Sequence, residues 1–102
     1  MGGENPERVA WAKTLRCLCR GPGETCVGPV EAHHAGRRGM GRKAHDDTTV
    51  PLCTGHHQAL HANTGPFKGW TKAQLRAWAA AAIAATQAGW AQQQQQTLPD
   101  WA

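Results

Sequence analysis

His57 and His61 stand four residues apart. On a helix that spacing brings both imidazoles to one face, where they can bind a single metal ion. A second pair, His33 and His34, lies upstream at the end of a short apolar run. Metal-assisted hydrolysis of a phosphodiester needs a Lewis acid near the scissile phosphate and a base that deprotonates the attacking water. Four histidines can divide those tasks. Three would hold the ion with positions left open for water and substrate oxygens, and the fourth, neutral near pH 7, would serve as the base.

Four cysteines supply the ligands of a second centre. Cys53-x-x-His56 is a metal knuckle, and it needs two more ligands from the earlier loop to close a tetrahedral site. Cys17 and Cys19 are only two apart, so the simplest set takes one of them together with Cys26. The preferred set is Cys19, Cys26, Cys53 and His56, with Cys17 the substitute for Cys19. A closed set of four ligands leaves no room for substrate and is structural. A zinc staple of this kind suits a chain of 102 residues, whose apolar core alone confers marginal stability. Disulfides are the rival staple. They are disfavoured because no N-terminal apolar region suggests secretion and because the cysteines are interleaved with histidines.

Eleven Lys and Arg against seven Asp and Glu give a net charge of +4, a modest bias towards a polyanion. Arg37, Arg38, Arg42 and Lys43 follow the first histidine pair in a Gly-rich stretch. They are either phosphate contacts or a solvated loop. His45, beside them, has no partner at ligand spacing and reads as an exposed loop residue. No apolar segment is long enough to span a bilayer, so the expectation is a soluble cytoplasmic protein without a membrane partner.

The elements that must position these groups follow from local signals. Asn5 can cap a helix that has Pro6 in its first turn, with Val9, Ala12 and Leu15 as its apolar stripe. Residues 17–29 carry three cysteines among Gly21, Pro22, Gly23, Gly28 and Pro29 and read as an irregular loop. Residues 30–35 and 48–52 read as two strands, the second limited to an edge or a strand end by Pro51. A helix should start near Gly55, carry His57 and His61, and stop at Asn63, Gly65 and Pro66. Thr71 and Gln74 form a capping box for a last helix with Leu75, Trp78, Ala79, Ala82 and Ile83 on one side. That helix is expected to end at Gly89, with the five glutamines of residues 92–96 in a flexible tail. The expected class is α+β: one domain over residues 1–90, with a core at 17–63, an N-terminal helix, an amphipathic C-terminal helix at 71–89, and a tail at 91–102.

The run EAHHAGRRGMGRKAHDDTTVPLCTGHHQALH resembles the HNH nucleases, also called ββα-metal or His-Me finger enzymes. The similarity is greatest to small phage and prophage members with a paired HH, a Gly-rich loop, PLC and a closing HH-x-x-x-H. It spans roughly residues 17–61, with a weaker echo in GPFKGW. The resemblance implies that His33, His57 and His61 bind the catalytic ion and that His34 is the general base. It also implies DNA as substrate, with 5′-phosphate and 3′-hydroxyl ends as products. The middle Asn of the family pattern is absent here. Asp46, Asp47 or Thr48 must replace it, and Asp46 is preferred because its carboxylate could orient His34 and favour the protonated imidazole.

Neighbouring strand residues face opposite ways, so His33 and His34 can serve one site only if the strand ends or twists there. Gly36 makes such a break feasible. If the strand runs straight on, one of the two is a scaffold histidine. The expected cofactors are a structural Zn2+ and a catalytic divalent ion, with Mg2+, Mn2+, Ni2+ and Zn2+ all open. A recombination or packaging partner could direct cutting. Two rival readings remain, a non-catalytic zinc-stabilised nucleic-acid-binding module and a protein-interaction factor using the Trp-rich last helix.

Overall fold

Asn5 opens the first helix as its type predicts. Its side-chain oxygen accepts from the Arg8 N–H at 3.1 Å, and Pro6 occupies the first turn. The computed structural model describes residues 5–21, 23–36 and 46–96. Its elements are helix α1 (Pro6–Ala12), strand β1 (Val30–His34), strand β2 (Thr49–Cys53), helix α2 (Thr54–Ala62) and helix α3 (Lys72–Gln96), with short 3-10 turns at Asp46–Thr48 and Gly65–Phe67. The described residues form a small mixed α+β domain with a two-stranded sheet. Arg37, Arg38, Arg42, Lys43 and His45 lie outside the described residues.

β1 and β2 pair antiparallel, with His33 opposite Val50 and His34 opposite Thr49. The bonds Ala35 N–H to Thr48 O and Thr54 N–H to Pro29 O mark the hydrogen-bonded positions of the ladder. By alternation Pro51 falls at a non-bonded position, where the N–H it lacks would point away from β1. That is why a proline is tolerated here. The outward carbonyls of β2 find other donors: Leu18 N–H bonds Pro51 O at 3.0 Å, and Arg8 Nη2 bonds Thr49 O at 2.9 Å. The open edge is thereby covered.

Arg8 does more than guard that edge. Fully buried, it also donates to Thr49 Oγ1, Gln87 Oε1 and Asp47 O. One guanidinium thus ties α1 to β2 and α3. The apolar core lies alongside, formed by Val50, Leu52, Cys53, Cys17 and Ala82 with Leu60, Trp78 and Ile83 packed against it. All five residues of β2 are buried, so the strand immediately before α2 is more enclosed than β1.

The Thr71–Gln74 capping box forms in both directions, at 2.8 and 3.1 Å. Leu75, Trp78, Ala79, Ala82 and Ile83 share the more buried side of α3. The expected stop at Gly89 is not observed, and the helix continues through residues 90–96. Glycine costs a helix only about 1 kcal/mol relative to alanine. Here Gly89 lets the Trp11 ring approach the backbone, and Trp11 meets Trp90 with ring centroids 5.2 Å apart. The contact with α1 outweighs the local stop signal. Among the described residues no helix is long and apolar enough to cross a membrane.

Candidate metal centres

Cys17, Cys26, Cys53 and His56 converge so that their ligand atoms all lie within 4.8 Å of one another. His56 Nδ1 stands 3.1 Å from Cys53 Sγ, 3.4 Å from Cys17 Sγ and 3.8 Å from Cys26 Sγ. With Zn–S near 2.3 Å and Zn–N near 2.0 Å, a tetrahedral ion separates S and N ligands by ~3.5 Å. The observed separations bracket that value, and the cluster can hold a metal ion such as zinc. The far nitrogen, His56 Nε2, hydrogen-bonds Glu24 Oε1 at 2.8 Å. Such a carboxylate fixes the tautomer and leaves Nδ1 free to ligate. Burial opposes ionisation of Cys53, yet the backbone N–H groups of His56 and Val27 hold its thiol below the usual range.

Cys17, and not the preferred Cys19, is the sulfur that joins this set. The reason is the Leu18 N–H bond to Pro51 O, which pins the segment along β2 and turns the buried Cys17 inwards. Cys19 packs at the edge of the apolar core instead, and burial pushes its thiol up to about 12. Glu24 went unread in the sequence because nothing in an irregular loop marks which carboxylate will meet a histidine from α2.

A second group gathers His33 from β1 with His57 and His61 from α2, again with ligand atoms within 4.8 Å of one another. His33 Nδ1 and His57 Nε2 are 3.0 Å apart. Two imidazole nitrogens held about 2.1 Å from one ion are separated by ~3.0 Å in octahedral and ~3.4 Å in tetrahedral geometry. His57 Nδ1 hydrogen-bonds Glu31 Oε1 at 2.6 Å, while Thr54 Oγ1 donates to Glu31 Oε2. Glu31 therefore does for His57 what Glu24 does for His56. The Glu31–His33 spacing was a usable signal, since alternate strand residues share a face. Burial, followed by the neighbouring imidazoles, lowers His33 to about 4. It is neutral at physiological pH and able to ligate.

His34 is the last residue of β1. Its Nε2 hydrogen-bonds Asp46 Oδ1 at 2.8 Å, and Asp46 Oδ2 accepts the Asn5 N–H at 2.7 Å. The cap of α1 thus also positions the carboxylate that orients His34. With Nε2 engaged, Nδ1 is the nitrogen of His34 left for other chemistry. Gly36 lies so close to Thr48 that an added Cβ would come within 2.6 Å of its side chain. A larger residue there would push aside the turn that holds Asp46.

Residues 2–89 match the family described as "Protein of unknown function (DUF968)". A relative from Escherichia coli strain K12, described as "Uncharacterized protein YdfU", is 41% identical over a 69-residue alignment that covers 64% of this chain. The match spans 18% of that relative's length. No solved structure matches the chain.

Proposed function

Within the DUF968 family, to which the chain belongs, we propose that this protein is a metal-dependent DNA endonuclease of the HNH type. The observation that carries the reading is the convergence of His33, His57 and His61 beside a strand-end His34–Asp46 pair. Three imidazoles form an open ligand set, unlike the closed cysteine cluster. An ion bound there would act as a Lewis acid on the scissile phosphate. His34 Nδ1 takes the proton of the attacking water, and Asp46 stabilises the resulting imidazolium. Glu31 keeps His57 in the tautomer that presents Nε2 inwards. Cys17, Cys26, Cys53 and His56 hold a structural zinc that fastens the cysteine loop to the start of α2. Arg37, Arg38, Arg42 and Lys43 contact phosphates of the bound strand.

The test is to incubate purified protein with plasmid and with single-stranded circular DNA across Mg2+, Mn2+, Ni2+ and Zn2+. Ion-dependent cutting that disappears in His34→Ala supports the proposal. Salt-dependent DNA binding without cutting in any ion would replace it with a zinc-stabilised nucleic-acid-binding module.

A further inference from the structure

A cleft of about 340 Å³ opens beside the histidine triad, between the end of α2 and the first turns of α3. His33 and His61 line the cleft and so belong to both cleft and triad. Leu75, Trp78 and Ala79 of α3 line it with apolar surface, and Arg76 of the same helix lines it too. The Trp78 ring is braced edge-on against Phe67, with centroids 5.2 Å apart at 80°. Arg76 is exposed, with no hydrogen bond or ion pair to any described residue.

We propose that this cleft receives one unpaired nucleobase of the strand whose phosphate lies at the histidine triad, with Trp78 as its stacking platform and Arg76 on an adjoining phosphate. The inference rests on the nuclease reading and adds a substrate class to it: single-stranded or locally opened nucleic acid. An aromatic platform beside a free cation is the combination that proteins use to hold single strands. The volume is at the small end of ligand sites. It suits a single base, whereas a paired base must first leave its stack to enter. Continuity with the triad selects this occupant over an unrelated small molecule, because a base in the cleft leaves its own phosphate within reach of His33 and His61.

The experiment measures binding and cutting of labelled oligothymidylate and of a labelled duplex by wild type, Trp78→Ala, Arg76→Ala and Ala79→Leu. Trp78→Ala also removes the brace on Phe67. Ala79→Leu is therefore the decisive variant, since it fills the cleft from a helical position and keeps Trp78 in place. Wild type should prefer the single strand. Trp78→Ala should weaken single-strand binding by ~5- to 150-fold, the range of a lost base–aromatic stack, and Ala79→Leu should weaken it in the same direction while leaving duplex binding unchanged. Equal affinity of wild type for the two substrates, or single-strand affinity unaltered in Ala79→Leu, overturns the cleft assignment even if DNA is cut. Single-strand binding that is lost in Ala79→Leu, with no cutting in any ion, upholds the cleft and overturns the nuclease reading. Binding of neither substrate overturns both.

Discussion

Exchanging Cys17 for serine should weaken zinc binding, whereas Cys19→Ser should leave it intact. The magnitude follows from the ligand geometry. Cys17 Sγ lies 3.4 Å from His56 Nδ1 and within the four-ligand cluster, while Cys19 lies outside it. A structural zinc contributes roughly 10–16 kcal/mol of apparent binding free energy, so one of four ligands accounts for ~2.5–4 kcal/mol. At about 1.4 kcal/mol per decade, that is a ~10²- to 10³-fold weaker site. Cys19→Ser removes only the packing of a half-buried thiol, a loss of about 1 kcal/mol. Glu24→Gln should fall between them, weakening the site ~10- to 100-fold through the freed His56 ring. The assay is the metal content of reduced, purified protein, followed by competition with a coloured zinc chelator. Zinc retained by Cys17→Ser and lost from Cys19→Ser would refute the geometry. Folded wild type with far less than an equivalent of metal would refute the zinc site itself.

The two adjacent histidines should fail differently. His34→Ala should keep the exchangeable ion but lose ~10²- to 10⁴-fold in cutting rate, while His33→Ala should weaken the ion, as calorimetry on each variant would read; the opposite pattern exchanges their roles. Arg8→Met should cost about 2–3 kcal/mol, because Thr49 O loses its buried donor while the methionine escapes the cost of burying a charge; a melting curve unchanged from wild type would contradict this. In protein stripped of exchangeable ions, His33 is lowered to about 4 from 6.5. The unfolded chain therefore binds the extra proton first, and stability present above pH 6.5 is lost as pH falls towards 4. His33→Gln should flatten that slope in denaturant titrations across the same range, and an equally steep slope in the variant would assign it elsewhere.

Signals confined to a turn or two of chain were legible in the sequence. The Asn5 cap with Pro6 and the Thr71–Gln74 box are satisfied by hydrogen bonds spanning three residues, so neighbouring residue types suffice to specify them. The shared helix face of His57 and His61, the Cys53-x-x-His56 knuckle and the two short strands are local for the same reason. The pairing of His34 with Asp46 was within reach because the two stand only 12 positions apart in the chain.

What remained hidden depended on partners far apart in the chain. Cys17 and Cys19 are equivalent in spacing, and the choice falls to the Leu18–Pro51 bond. Arg8 looks like an ordinary helix-surface cation until α1, β2 and α3 close around it. Gly89 is a stop signal on its own and a contact surface once Trp11 reaches it. Glu24 and Glu31 gain their places behind His56 and His57 only when the cysteine loop and β1 meet α2. In each case the deciding energy comes from burial or from a hydrogen bond between distant segments, and such contacts exist only after the chain has closed on itself.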